Sequence, residues 1–487
     1  MVLSKSKYLF IAACSISLAV VWIWQYQISL VENVPITGFK YHRLAAPNKT
    51  AIYDNIFQSV EECGIKNVSL KRYKHDKYED VKDPIRTVEF LSEYVDVDDE
   101  ELAILKTSHE CIINKLDTVS VNTYNGRGYV FTADSRYFPI VILTIKVLRR
   151  ADPLTPIEVI IPKKTQFENE MCNILSTMNA KCLVLEEILG GDHWIKNFNI
   201  KGYQLKVIAM LVSSFQDVIM LDSDSIPLVP ADTLFNHSSY TDTGMVVWPD
   251  FWPRTVSPYF YEIQGIQLGE RVRGNLSETD PAMIPEADRE GAIPDRSSES
   301  GQLMIDKARH FDSLVLATYY NLYGYQAYYR LLSQGAPGEG DKETFLAAAV
   351  KLGKPYYQVK SNCGAAGYND KGFHGTAIKQ YHPERDNDES LKYPAFLHVN
   401  FPKLNLKEML RDHSEFYSDD SARRRFLGNP ESIHSFRDIE AEMWTEVVWQ
   451  ACEVGLKRNL LAKDWKDQNM TSLCVQSKRH LSWLLMN

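Results

Sequence analysis

In the run Val218-Ile-Met-Leu-Asp222-Ser-Asp224-Ser-Ile-Pro227, two aspartates stand two residues apart, directly after four apolar residues. On extended backbone, side chains at i and i+2 point the same way, so both carboxylates can converge on one cation. Hard divalent ions such as Mg²⁺ and Mn²⁺ take oxygen ligands and bind phosphate oxygens through their open positions. The tripeptide alone is weak, because Asp-x-Asp recurs at Asp96/Asp98 and Asp386/Asp388. Only the middle copy follows an apolar strand preceded by an amphipathic helix, and that context favours metal binding over a solvated turn. A HAD-type phosphatase also places Asp-x-Asp after a strand, but there the motif opens the domain, whereas here three strands come first. A nucleotide-sugar transferase fits better, since its metal bridges the diphosphate and carries the leaving charge.

The elements that must position this pair are legible upstream. Tyr129–Thr132 (YVFT), Ile157–Ile161 (IEVII) and Cys182–Leu185 (CLVL) read as strands, and Phe138–Leu148 and Tyr203–Phe215 as helices. Strands alternating with helices at this spacing predict an α/β domain built from βαβ units around a mostly parallel sheet. Ligands on such sheets bind at the carboxyl ends of the strands, which is where Asp222 falls. After Asn405 the pattern turns helical and polar, for example over Ser435–Gly455, as in a covering subdomain.

The chain has 487 residues, 45% hydrophobic and 24% charged, the mix of a packed globular protein. Its 54 Lys+Arg against 63 Asp+Glu give a net charge of -9, so nucleic acid is not expected as a partner. Tyr8–Leu30 holds no charged side chain and follows Lys5 and Lys7. At ~1.5 Å per residue it reaches ~34 Å, enough to cross ~30 Å of hydrocarbon. No convincing cleavage site follows, so residues 8–30 are expected to be an uncleaved signal anchor, with 1–7 cytosolic and the remainder lumenal. Residues 31–120 read as a stem and N-terminal helical region, with the charge runs Lys71–Asp83 and Asp96–Glu101 as solvated faces. Asn-x-Ser/Thr triplets at Asn48, Asn67, Asn236, Asn275 and Asn469 suit a lumenal location. Eight cysteines are present; with Cys14 in the anchor, seven remain, so at least one is unpaired or bridged between chains if the others pair. None forms CxxC, which speaks against a zinc ribbon.

Five blocks in order, Gly202–Pro227, Val247–Trp252 (VWPDFW), Glu299–Gln302 (ESGQ), Tyr319–Phe345 and His398–Lys403 (HVNFPK), resemble the fungal Golgi α-mannosyltransferase family. The segment GAPGEGDKETF within the fourth is most like the branch that adds α-1,2-mannose to N-glycan mannan. The similarity covers roughly residues 120–405 and is weaker to about 455. It implies a GT-A-type, Rossmann-like catalytic domain over 121–405 and a C-terminal helical covering region over 406–487. It also implies GDP-mannose as donor, a divalent cation, Mn²⁺ foremost, and a mannose-ended glycan as acceptor, in a single-pass type II protein of the Golgi membrane. Other Golgi mannosyltransferases are conceivable partners in a complex. The α-1,3 branch of the same family is the nearest alternative reading. A non-catalytic Golgi glycan-binding protein is the alternative from another class, against which the intact acidic motifs speak.

On that resemblance, Asp222 and Asp224 match the metal motif, with Asp222 able to contact ribose as well. His398, after the apolar Tyr393–Leu397, is the candidate third metal ligand, and Lys403 would reach the diphosphate. Lys206, in the helix before the metal strand, would offset donor charge, and Asp134, after the first strand, would bind base or ribose or cap a helix. Retention at the anomeric carbon needs a carboxylate nucleophile or departure and attack on one face. Asp341 and Glu343, in a glycine-rich turn, and Glu299, on an expected strand at the pocket floor, are the catalytic candidates. Asp341 has a helix cap as its plainer reading. Trp248, Trp252 and Gln302 are the acceptor candidates, and the polar segment Pro285–Ser298 would suit a moving lid.

Overall fold

Short runs rich in Val, Ile and aromatic residues make the strands. The computed structural model describes residues 49–70, 84–119, 124–386, 388, 390–409, 423–433 and 437–487. Among these the strands are β1 (Arg127–Thr132), β2 (Ile157–Ile161), β3 (Ala180–Val184), β4 (Asp217–Leu221), β5 (Ser225–Pro227), β6 (Met245–Pro249), β7 (Ser298–Asp306), β8 (Tyr357–Gln358), β9 (Gly364–Asn369), β10 (Phe373–Tyr381) and β11 (Pro394–Val399). The larger sheet has the order β3-β2-β1-β4-β7-β6-β8. It is parallel apart from β7, which runs antiparallel to both neighbours, β4 and β6. A smaller antiparallel sheet has the order β5-β11-β10-β9.

Pleating sends alternate residues to opposite faces, and both faces are covered. Tyr129, Phe131, Ile219 and Leu221 point into one apolar cluster, shared with helices Phe138–Ala151, Ile439–Val448 and Met470–Leu484. Val130, Val218 and Met220 point into the other, shared with helices Lys49–Glu62, Asp99–Leu116, Gln204–Val212 and Lys307–Leu322. The central strands are therefore apolar at nearly every position.

The strand and helix expectations hold with shifted ends. The helix expected over Tyr203–Phe215 spans Gln204–Val212, and the third strand ends at Val184 because Leu185 opens a short helix. Among the described residues three disulfides form, Cys63–Cys111, Cys172–Cys182 and Cys452–Cys474, and Cys363 is unpaired and buried. The segment Pro285–Ser298 is no free-standing lid. Glu286 and Ile293 are buried, and the Arg273 guanidinium donates to the carbonyls of Ala287, Arg289 and Ala292. The expected tail, anchor and first part of the stem lie outside the described residues. Among the described residues no helix is long and apolar enough to cross a membrane.

Candidate active site

Strand β4 ends at Leu221, and the Asp222 amide continues its ladder by donating to the Gly301 carbonyl of β7 at 2.9 Å. The chain then turns at Ser223, whose carbonyl accepts from the Thr144 hydroxyl at 2.6 Å. It enters β5, which pairs with β11 so that Ser225 lies opposite His398. The Val399 amide donates to the Asp224 carbonyl at 3.0 Å, which ties the two strands together at this point. One ligand atom each from Asp222, Asp224 and His398 consequently lies within 4.8 Å of the other two.

Every group around that cluster has a defined partner. His398 Nε2 is 3.2 Å from Asp224 Oδ1, and its Nδ1 is 3.0 Å from Glu299 Oε1. Glu299 in turn accepts from the Gly301 amide at 2.7 Å and from Gln302 Nε2 at 2.6 Å. Gly301 is required here, since a Cβ would come within 2.5 Å of His398 Nδ1. Lys403 Nζ donates to Asp224 Oδ2 at 2.6 Å. Lys206 Nζ is 2.9 Å from Asp222, 3.0 Å from Ser300 Oγ and 3.5 Å from Asp341 Oδ2.

Charge pairing dominates the protonation of these buried groups. Burial would raise Asp224, but His398 and Lys403 hold it well below the usual carboxylate range. Burial likewise opposes the ionised Glu299, yet His398 and Lys206 bring it down to about 2. Burial alone would lower His398, while Glu299 and Asp224 on either side keep it far above the ordinary histidine value. Asp341 goes the other way: burial, with Asp222 nearby, lifts it to about 6 despite Lys206.

Two carboxylates and an imidazole make a donor set suited to a divalent ion such as Mn²⁺. Glu299 behind Nδ1 supplies the carboxylate that typically fixes the tautomer and orientation of a metal-binding histidine. The residues present thus fit a divalent cation, with two ammonium groups at its margins. The other Asp-x-Asp copies do structural work. Asp98 closes a capping box with Glu101, and Asp386 accepts from the Tyr357 hydroxyl and the amides of Lys360 and Ser361.

The remaining candidates divide clearly. Asp341 does not cap the helix Thr344–Lys351. Its Oδ1 accepts from Ser300 Oγ at 3.2 Å, and its buried Oδ2 accepts no hydrogen bond. Glu343 is committed on both oxygens: one takes the Ser297 hydroxyl and Ser298 amide, the other the buried Arg254 guanidinium. Asp134 accepts from the amides of Arg136 and Tyr137 at 3.0 and 3.4 Å, turning the chain toward the helix Phe138–Ala151. Gln302 is fully buried and spent on Glu299. Trp248 is 0% exposed and donates its indole N–H to the Tyr381 carbonyl at 2.9 Å, so it has no face to offer a sugar. Trp252 is 44% exposed. Sequence reasoning missed Ser300 and Gly301, although both lie inside the ESGQ block, and it missed the buried Lys342–Asp250 pair at 2.9 Å, which fastens the glycine-rich turn to the end of β6.

Known proteins resemble this chain along most of its length. The family profile Mannosyl_trans3, described as "Mannosyltransferase putative", matches residues 126–399. The chain is 34% identical to "Alpha-1,2-mannosyltransferase MNN21" of Candida albicans, over 89% of this chain and 74% of that one. It is 37% identical to "Alpha-1,2-mannosyltransferase MNN2" of Saccharomyces cerevisiae, over 68% of this chain and 60% of that one. Among solved structures, the mannosyltransferase Ktr4p from S. cerevisiae aligns with 11% identity and a TM-score of 0.32, over 64% of this chain and 78% of that one, a likeness too loose to build on. With a profile spanning more than half its length and relatives above 30% identity along most of it, this chain is a mannosyltransferase and belongs to the family that contains these fungal enzymes.

Proposed function

We propose that the chain transfers mannose from GDP-mannose, with retention, to form α-1,2-mannose branches on a mannan-type glycan. In this reading it is a GT-A-type enzyme of the Golgi lumen, held to the membrane by residues 8–30. The observation that carries the donor assignment is the convergence of Asp222, Asp224 and His398 within 4.8 Å, flanked by the ammonium groups of Lys206 and Lys403. The names of the relatives support the α-1,2 linkage.

In this scheme Asp222, Asp224 and His398 would hold Mn²⁺, which, when bound, stabilises charge on the departing diphosphate. Lys403 turns from Asp224 toward phosphate oxygens, and Lys206 holds Asp222 and Asp341 in a fixed relation. Glu299 orients His398. Of the three carboxylates considered for contact with the sugar, Glu299 and Glu343 already spend their oxygens on protein donors. Asp341 is the one with a hydrogen-bonding position left open, so it is assigned to the mannose ring of the donor.

The deciding experiment incubates the full-length chain with GDP-mannose, Mn²⁺ and manno-oligosaccharides, and reads the product linkage by NMR. An α-1,2 product is expected. An α-1,3 product would transfer the chain to the other branch. Asp224→Asn should lower transfer by at least about 100-fold in a chain that still folds, as read by circular dichroism, though with a lower melting temperature because His398 and Lys403 lose a buried partner; full activity under excess Mn²⁺ would remove the metal assignment.

A further inference from the structure

Two tyrosines stand open beside this pocket. Tyr203 is 46% and Tyr325 39% exposed, and their rings stack with centroids 6.5 Å apart and planes 28° from parallel. The buried Tyr329 supports both edge-on, at 6.2 and 5.1 Å. The backbone makes room for them. A Cβ on Gly340 would come within 3.1 Å of the Tyr203 ring, and one on Gly202, at φ +52°, within 2.8 Å of the Tyr325 hydroxyl. Lys201 Nζ lies 5.8 Å from the Tyr325 centroid, adding a hydrogen-bond donor at the rim.

The pair is joined to the pocket from two sides. Tyr203 lies one helical turn before Lys206, whose ammonium touches Asp222 and Asp341, and Gly340, beneath the Tyr203 ring, immediately precedes Asp341. An exposed ring with a polar tip offers an apolar face to the C–H side of a pyranose while leaving the sugar hydroxyls in water. Exposed apolar patches with a polar rim commonly mark binding surfaces. We infer that Tyr203 and Tyr325 form an acceptor subsite on which one mannose ring of the glycan stacks, with the receiving hydroxyl directed toward Asp341. This rests on the transfer reaction proposed above, and it assigns acceptor recognition to the tyrosine pair in place of Trp248 and Trp252.

Two measurements test it on the full-length chain: calorimetric titration with α-linked mannotriose, and initial rates with that acceptor and GDP-mannose. Tyr325→Ala and Tyr203→Ala should each weaken mannotriose binding and raise its KM ten-fold or more, with the KM for GDP-mannose moving less than two-fold. Tyr325→Phe and Tyr325→Trp should stay within three-fold of wild type. Should Tyr203→Ala fail to fold because its ring packs on Gly340, the Tyr325 series decides. Unchanged mannotriose affinity in Tyr325→Ala, or a ten-fold loss in Trp252→Ala instead, overturns the assignment. If the wild type makes no product from GDP-mannose yet binds mannotriose through Tyr325, the donor reading falls and the subsite stands.

Discussion

His398 and Glu299 act as a unit, and their pairing separates two roles that a carboxylate in this pocket could play. A group that merely aims the imidazole should matter through metal affinity, whereas a reacting carboxylate should matter at any metal concentration. Glu299→Gln is expected to weaken Mn²⁺ binding by about 10- to 100-fold, with transfer largely restored at saturating Mn²⁺. Titration of activity against Mn²⁺ checks this; a loss that persists at saturation would instead put Glu299 at the sugar. Glu343 makes the contrasting case. Its partner Arg254 is buried and would be left uncompensated in Glu343→Gln, so about 3 kcal/mol of stability should be lost, as read by denaturant unfolding. A variant that unfolds like the wild type but has no activity would contradict that structural role. The residue types alone put both glutamates among the candidates; what distinguishes them is which hydrogen bonds they already make, and that follows from tertiary contacts with Ser297, Arg254 and His398.

At the scale of elements, Gly301 is the position where strand geometry and chemistry meet. Strand β7 runs antiparallel between β4 and β6 and passes close under the imidazole, and only a residue without a side chain fits there. Gly301→Ala should push His398 off Glu299, and transfer should fall by at least about 10-fold even where melting shifts by only a few degrees. Paired kinetic and thermal-shift measurements would show whether the two effects separate. The parallel strands β1, β2 and β4 were legible because each is an apolar run followed by turn residues, and burial on both faces demands that pattern. Asp222 and Asp224 were legible for the same reason, since they end the last such run. The antiparallel pairing of β7, the docking of β11 beside β5 and the clamp of Lys342 on Asp250 were not legible. They join segments far apart in the chain, and nothing local in either partner specifies the match.

Across the whole molecule, buried histidines set a limit on acid tolerance. Burial drives His109 and His480 down to about 3 and His382 to about 4. The folded chain therefore keeps them neutral at pH values where the unfolded chain, near 6.5, takes up protons. Their contribution is complete above pH 6.5 and is lost as pH falls, by about 2 kcal/mol each at pH 5. Melting temperature should decline steadily from pH 7 to 5, and His109→Gln should make that decline shallower by roughly one proton's worth. His398 runs in the opposite sense, because Glu299 and Asp224 hold its proton in the folded chain. The backbone bonds between β5 and β11 carry a last consequence for how such enzymes can diverge. Because main-chain atoms, and no connecting loop, set the spacing of Asp224 and His398, the chain between Leu228 and Tyr393 can gain or lose surface segments without disturbing the pocket. A slip of one residue in that short pairing would turn the imidazole to the far side of its strand.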